Sequence, residues 1–558
     1  MKTINLENLS KKNIILFNKI YIKEKKFYLL FLSKLLKKQT ATTGFLPFFS
    51  RSNETTETYR LYCLVVLLRK IIIKKIKYCI ITSSYLEFLH FKKNFHSNQI
   101  RISYSGSIAS KIFFYFKFLK SFYRVFHLLS YCYYDLKNKS SLRRNDLKSK
   151  KNILLLDTTF IKSSFKNKSY FDRFYGGSLA SQKNIYFSPL NLLFSSTRLG
   201  LKILKKNKTK FIFRFDFLKL IDYLWAFKKC LNPRINFFSN YHYLNGVNLK
   251  ISLNYDKSLS NCNFNYFIGL LNYKVFQRLS EYKIDLKSII SWNENQPADK
   301  GFVLGAKTFF KNIPIAGYAP YFTNYDYAFD RQPIEIEKKK NYIPDLLFVS
   351  TSNFFKKIKI FSPTINLSLA PLFRFSKKKI PTKKKNFKKR HILVTLPIER
   401  MEVNNLINML SAIDAKKNKV IINFHPDYSD REIKKISNFN IHTNYYFSNK
   451  SFIELIDGAE IVISSSSSTT IEAIIARKKI ISPINSRLLI DTPLVGIFPK
   501  DYYTIAYNPL DVVNAINLYK KKDYKFSIFK KINNKFFAND FLKVSNFMNY
   551  LNNWRFDL

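Results

Sequence analysis

Residues 460–483 read EIVISSSSSTTIEAIIARKKIISP. EIVIS (460–464) is a short β-branched apolar run, 468–477 carries helical spacing, and KIISP (479–483) is a second apolar run. Strand, hydroxyl-rich turn, helix and strand in this order form a βαβ unit, and such units stack into a mostly parallel sheet.

The same alternation continues upstream. HILVTLP (391–397) and VIINF (420–424) read as buried strands, with helices expected over 400–415, 429–437 and 451–457. Two further helical stretches, 510–520 and 536–553, are expected to close the chain. The first half is less regular but also mixed. KYCIITSS (77–84), NILLLDTT (152–159), KFIFRFD (210–216), SIISW (288–292) and DLLFVST (345–351) read as strands, and 299–311 as a helix. No internal repeat is present. The expected fold is α/β, with two facing Rossmann-like domains and a basic N-terminal extension. The expected units are a basic, aromatic-rich region over 1–150, an N-terminal Rossmann-like domain over 151–375, a basic linker over 376–390 and a C-terminal Rossmann-like domain with closing helices over 391–558. The linker, SKKKIPTKKKNFKKR, holds nine basic residues and no periodic apolar pattern.

Composition narrows the class. The chain has 558 residues, 46% hydrophobic and 17% aromatic, which excludes global disorder. Against 37 acidic residues stand 95 basic ones, a formal charge of +58. Taken as a total, that charge suits nucleic acid or an anionic membrane. Lys, Asn, Ile, Phe and Tyr, all with A/T-rich codons, are abundant as well, so base composition inflates it. Residues 391–558 carry 22 basic and 16 acidic residues, a net of +6, which leaves +52 on residues 1–390. The five cysteines are scattered without a CxxC pair, which argues against a disulfide framework or thiolate zinc site and fits a reducing compartment. The start, MKTINLENLSKKN, lacks the apolar core of a signal peptide. No uncharged apolar run approaches the ~18 residues of a membrane span. A cytoplasmic protein is expected.

Three stretches carry candidate chemistry. In Asn423-Phe424-His425-Pro426-Asp427, a strand gives way to a loop, and in open α/β sheets that edge binds ligands. Proline after His425 keeps the histidine extended, where an imidazole can donate to a phosphate or protonate a leaving group. In Ser464–Thr470, hydroxyls crowd the entry to a helix, a setting suited to phosphate, and Glu472 stands where it can accept from ribose hydroxyls. Ser291-Trp292-Asn293-Glu294-Asn295-Gln296-Pro297-Ala298-Asp299-Lys300 follows a first-half strand. Glu294 is the first candidate for a general base and Asp299 the second, with Asn295 and Gln296 as support. Asp299 and Lys300 also fit as ordinary first-turn helix charges. Minor candidates are Glu399, Glu402 and the loop Tyr175-Gly176-Gly177-Ser178. Neither GxxxxGK[ST] nor GxGxxG occurs, which disfavours NTP hydrolysis and dinucleotide redox chemistry.

The order of these motifs, with the serine run followed by an apolar-Glu-Ala helix, resembles bacterial surface-carbohydrate biosynthesis proteins of the GT-B glycosyltransferase type. More distantly it is similar to CMP-sugar sialyl and Kdo transferases and to CDP-glycerol glycerophosphotransferases. The resemblance spans roughly residues 150–500. It implies that His425, Ser467 and Ser468, with Thr469 beside them, contact the phosphate of a CMP- or CDP-linked donor. It also implies an acidic base in the first domain, for which Glu294 is a positional choice. The donor would be a substrate, with no cofactor; no DxD-type pair lies near the cradle, so no metal is expected. The acceptor would be a glycan or lipid-linked. Two other readings stand beside this one: a non-catalytic basic nucleic-acid-binding protein, and a degenerate transferase serving as an assembly scaffold.

KIFFYFKFLKSFYRVFH (111–127) places Lys117, Lys120, Arg124 and His127 along one helical face beside aromatic residues. That pattern suits a helix lying on an anionic membrane, with Lys117, Lys120 and Arg124 facing the lipid. No RNP-like, KH or zinc-finger pattern supports a nucleic-acid partner.

Overall fold

A computed structural model describes residues 1–521 except 52–55, 74–75, 116, 161–164, 167–168, 171–174, 176–183, 192–209, 236–241, 320, 322, 328, 371–389, 415, 427, 438–444 and 466. The helix expected at 536–553, most of the 376–390 run, and Gly176, Gly177 and Ser178 lie outside the described residues.

Three parallel sheets organise the chain. The smallest joins β1 (Lys2–Asn5), β2 (Tyr78–Thr82) and β3 (Ile100–Tyr104). Around it lie the helices α1 (Lys11–Lys37), α2 (Thr58–Ile71), α3 (Tyr85–Asn94), α4 (Ile108–Tyr115) and α5 (Lys117–Asn138). The second sheet is built from β4 (Ile153–Phe160), β5 (Ile185–Asn191), β6 (Leu286–Trp292), β7 (Ile315–Ala319), β8 (Leu346–Val349) and β9 (Leu367–Leu369). Its helices include α6 (Leu220–Leu231), α7 (Phe264–Glu281), α8 (Pro297–Phe309) and α9 (Glu335–Lys339). The third comprises β10 (His391–Thr395), β11 (Val420–Asn423), β12 (Tyr445–Ser448), β13 (Ala459–Ser464), β14 (Lys479–Pro483) and β15 (Tyr503–Ala506). Helices α10 (Arg400–Met409), α11 (Asp430–Ser437), α12 (Thr469–Ile475) and α13 (Pro509–Lys521) accompany it.

Both large sheets are doubly wound. The third runs β12-β11-β10-β13-β14-β15, the order 3-2-1-4-5-6. The second runs β5-β4-β6-β7-β8-β9, the order 2-1-3-4-5-6. In each, the central strands are covered on both faces, which is why ILLL, SIIS and EIVI are apolar without alternation. One continuous apolar core runs from Ile4 and α1 through the helices of the second sheet to Ile392, Ile461 and Tyr519.

Two expectations need correction. KFIFRFD does not form a strand: Phe211 makes a single bridge to Phe187, and Arg214–Phe217 turn into a short helix. That turn brings the Arg214 guanidinium to the buried carboxylate of Asp157, an ion pair a straight strand would not make. The second correction concerns Arg124. It donates to the carbonyls of Leu259 (2.8 Å) and Asn261 (3.0 Å), and His127 packs edge-on against Phe264. The expected lipid-facing stripe therefore turns inward at Arg124, while the side chains of Lys117 and Lys120 lie outside the described residues.

Helices α7 and α8 cross in close backbone contact. A Cβ on Gly301 would overlap the carbonyl oxygen of Gly269, and one on Gly269 would overlap that of Pro297. This contact sets where α8 begins, and with it the Glu294–Gln296 turn. Gly301→Ala is expected to cost ~2 kcal/mol or more of stability, since neither backbone can yield cheaply; urea denaturation measures it. His90 gives a second test. Its ring is wholly buried, and neither nitrogen has a hydrogen-bond partner among the described residues. Burial, with Arg60 nearby, lowers its pKa to about 3. Between pH 6.5 and 3 the unfolded chain binds a proton that the folded chain refuses, so stability falls as pH drops through that window, by up to ~4–5 kcal/mol from this residue. The stability difference between His90→Phe and wild type should shift toward the variant as pH falls from 7 to 4.

Candidate functional site

The order of the third sheet reverses between β10 and β13, so ligands belong above the carboxyl ends of these two strands. A connected group of hydroxyls sits there. Thr395, the last residue of β10, donates through Oγ1 to Ser464 Oγ at 2.7 Å. Thr469 Oγ1 lies 3.2 Å from each of these oxygens and donates to Ser467 Oγ at 2.9 Å. Ser465 is buried (3% exposed), and its hydroxyl has no partner among the described residues. Ser468 occupies the N-cap position of α12, yet its side chain accepts no bond from that helix. Glu472 is half-buried in the first turn. The serine run is thus more than a helix cap. It presents hydroxyls, at least one unsatisfied, at the switch point.

His425 follows β11 on the other side of β10, half-buried, its ring 5.9 Å from that of Tyr428. Tyr428 donates its hydroxyl to the carbonyl of Pro397, just beyond Thr395, and so ties the loop after β11 to the loop after β10. Asn423 Nδ2 donates to the carbonyls of Ser448 (3.1 Å) and Lys450 (2.8 Å), fixing the other flank. The histidine and the serine run leave the sheet two strands apart, about 10 Å at the usual strand spacing. Both motifs occupy the same edge of one sheet. Asp427 lies outside the described residues.

The acidic turn of the first domain follows β6. Trp292 Nε1 donates to Glu294 Oε1 at 3.1 Å, and Arg331 pairs with Oε2. Burial pushes the Glu294 pKa up, but the Arg331 guanidinium and the indole N–H outweigh it and hold the carboxylate below its ordinary range. Asp299 receives the backbone N–H of Glu294 (2.8 Å) and of Gln296 (3.0 Å), closing the first turn of α8. Burial, then the Glu294 charge, raises its pKa to about 8 against those two bonds. Asn295 adopts φ +59°, a left-handed conformation that asparagine tolerates, and its Nδ2 donates to the Asp330 carbonyl at 2.9 Å. Gln296 Nε2 reaches Asp330 Oδ2 at 3.3 Å. One oxygen each of Asn295, Asp330 and Gln332 is buried without a partner among the described residues.

The two carboxyl edges face each other. Asn324, beyond β7, donates to the Ile490 carbonyl at 2.8 Å, and Asn353, beyond β8, to that of Gly496 at 3.3 Å. Both acceptors lie in the loop that follows β14. Glu402 serves that loop structurally: its carboxylate receives the N–H (3.0 Å) and hydroxyl (2.5 Å) of Ser486. Glu399 precedes α10 as its N-cap residue. Tyr175 is buried and donates to the Asp157 carbonyl at 3.0 Å. Sequence reasoning missed Thr395, whose only signal was its place at the end of HILVT. It also missed Asp330 and Arg331, which contact the Glu294–Gln296 turn from 34–37 residues away and left no local trace. Among the described residues, no three His, Cys, Asp or Glu side chains gather as a metal site, and no helix is long and apolar enough to cross a membrane.

Two doubly wound α/β domains with facing carboxyl edges make this a GT-B-like architecture. No family model and no curated protein matches the chain. Among solved structures it is similar to the lipopolysaccharide outer core galactosyltransferase WaaB in its apo form, 14% identical over 72% of this chain and 100% of that one, TM-score 0.40. It is also similar to UDP-GlcNAc 2-epimerase of Methanocaldococcus jannaschii in complex with UDP-GlcNAc and UDP (10% identical, 66% and 94% covered, TM-score 0.39). A third is HepE of Anabaena in complex with UDP-glucose (10% identical, 71% and 99% covered, TM-score 0.42).

Thr395→Val keeps the shape of the residue and removes the hydroxyl that links β10 to the serine run. Affinity for inorganic pyrophosphate, measured by calorimetry, should fall about tenfold, while global stability changes by only ~1 kcal/mol.

Proposed function

We propose that this chain is a glycosyltransferase of bacterial surface polysaccharide assembly (O-antigen, capsule or lipopolysaccharide). It would move a sugar from a nucleotide-activated donor, CMP- or CDP-linked by the motif order, to a glycan or lipid-linked acceptor. The observation that carries this reading is the hydroxyl group at the switch point, where Thr395, Ser464, Ser467 and Thr469 share hydrogen bonds and Ser465 has no partner among the described residues. Hydroxyls gathered at a sheet's carboxyl edge suit the oxygens of a phosphate.

In the proposed reaction, Ser465, Ser467, Ser468 and Thr469 donate to the donor's phosphate oxygens, and Glu472 accepts from the ribose hydroxyls. His425 donates to the departing phosphate as the glycosidic bond breaks, so charge developing there meets a fixed donor. Glu294 takes the proton of the attacking acceptor hydroxyl. Its pairing with Arg331 keeps it ionised at neutral pH, the state in which a base must begin, at the cost of basicity. Asn295, Gln296 and Asp299 hold that turn. The protein would work on the inner face of the cytoplasmic membrane, held there by the charge of its first 390 residues.

A thermal-shift screen of CMP, CDP, UDP and GDP tests the donor site. One cytidine nucleotide should stabilise the wild type by several degrees, and His425→Ala and Ser465→Ala should each remove most of that shift. No shift with any nucleotide would sink the donor site, and a shift confined to UDP would overturn the cytidine assignment.

A further inference from the structure

Once Arg124 and His127 turn inward, the opposite face of α5 is left in solvent. Phe122 and Phe126 are 72% and 70% exposed, and Tyr123, Leu129 and Tyr133 are exposed as well. From residue 122 to residue 136, about 21 Å of helix, no exposed side chain of α5 carries a charge. Such a face on a water-soluble surface needs a partner.

Helix α6 lies beside it. Tyr223 on α6 donates to the Asp135 carboxylate on α5 at 3.1 Å, and Lys139 donates to the Leu218 carbonyl at 2.7 Å. The solvent side of α6 exposes Leu220, Ile221 and Leu224. Cations rim these helices: Lys111 on α4, Lys137 on α5, and Lys219, Lys228 and Lys229 at α6 are all exposed. The helices contain two acids, Asp135 and Asp222, and both are buried. Asp135 receives Tyr223, and Asp222 pairs with Arg278.

We propose that the outer faces of α5 and α6 form the surface by which this protein lies on an anionic lipid bilayer. The aromatic and aliphatic side chains would enter the acyl boundary, and the lysine rim would meet the headgroups. This deepens the membrane placement proposed above and rests on it. The charges select the occupant. A second copy would bring a lysine rim against a lysine rim, with one exposed acid, Glu281 beside Lys219, against five exposed lysines on each. The chain's own residues 522–558 carry seven basic and three acidic residues, so they offer the rim no complement either. Single-stranded nucleic acid needs cations interleaved with the rings, and the described cation between Phe122 and Phe126 turns away. A negatively charged bilayer satisfies both the apolar stripe and its rim.

Vesicle co-sedimentation of the full chain tests this, with phosphatidylcholine alone or with about 30% phosphatidylglycerol. The variants are Phe122→Glu/Phe126→Glu and, as a control on the third sheet's domain, Ile453→Glu. All these positions are exposed, so melting temperatures should stay within about 2 °C of wild type. The wild type and the control should bind anionic vesicles at least tenfold better than neutral ones, and the double variant should lose at least tenfold of that binding. Equal binding by the double variant overturns the assigned face while leaving membrane placement standing. No vesicle binding by the wild type overturns both. If the double variant instead converts a wild-type dimer to a monomer without vesicles, or loses binding to a mixed oligonucleotide, the face belongs to that partner and the proposal fails.

Discussion

A single buried carboxylate anchors the first half of the molecule. Glu337, at the start of α9, receives Arg51 through both oxygens (3.0 and 3.2 Å), Lys300 at 2.5 Å and the N–H of Ile334 at 2.9 Å. All three charged side chains are at most 1% exposed. Two cations share one anion, so the group is held by geometry as much as by charge. Burial lowers the Lys300 pKa to about 8, and Arg51 adds to that, while Glu337 opposes both. Removing one member of such a group costs on the order of 3–5 kcal/mol, because the others are left buried and unmatched. Three segments meet here: the loop after α1, the helix that starts beyond Glu294, and the helix that follows Asp330 and Arg331. The ion group therefore ties together the segments on both sides of the acidic turn.

The same N-terminal segment spans the two halves. Helix α1 is 27 residues long, about 40 Å. Near its start, Lys11 pairs with Asp511 at 3.3 Å, and Asn18 binds both the Leu488 carbonyl (2.8 Å) and the Ile490 N–H (3.0 Å). One turn beyond Tyr21, the buried Lys25 amine donates to the Tyr325 carbonyl at 3.2 Å. Burial lowers its pKa to about 7, so this contact sits near its titration point at neutral pH. Arg487 adds a further tie to Glu57 at 3.0 Å. A region that reads in sequence as a basic extension is thus a strut holding two sheet edges at a fixed separation.

What could be read from sequence follows from burial. The strands β10, β11, β13 and β14 are central and parallel, apolar on both faces, so ILV, VII, EIVI and KIIS declare themselves without any knowledge of neighbours. The edge strands β12 and β15 escaped because YYFS and YTIA mix tyrosine and polar residues, as strands with one open side do. Helix α5 shows the converse limit. Its period of 3.6 sorted basic from aromatic residues correctly, but periodicity cannot say which face meets the protein. The answer depended on two carbonyls, at Leu259 and Asn261, more than 130 residues away. Glu294 shows it again. A carboxylate after a strand is visible in sequence, whereas the Arg331 that sets its protonation is not.

The serine run also differs from a glycine-rich loop in how its polar groups are met. A glycine-rich loop offers only backbone N–H groups, which water must satisfy when no anion is present. Hydroxyls are both donors and acceptors, so Thr395, Ser464, Thr469 and Ser467 pass hydrogen bonds along one chain. Turning a hydroxyl outward exchanges one hydrogen bond for another, a small net change. Ser465 is the exception, buried near the start of the run, its hydroxyl without a partner among the described residues. A buried donor without a partner costs about 1–3 kcal/mol, and it persists only where the surrounding fold imposes it. Here β13 and α12 impose it, because Ser464 must close the strand pairing with Thr395 and Thr470 must close the helix onto the Ser467 carbonyl. Ser464 and Thr470, on either side of the run, are thus spent on structure.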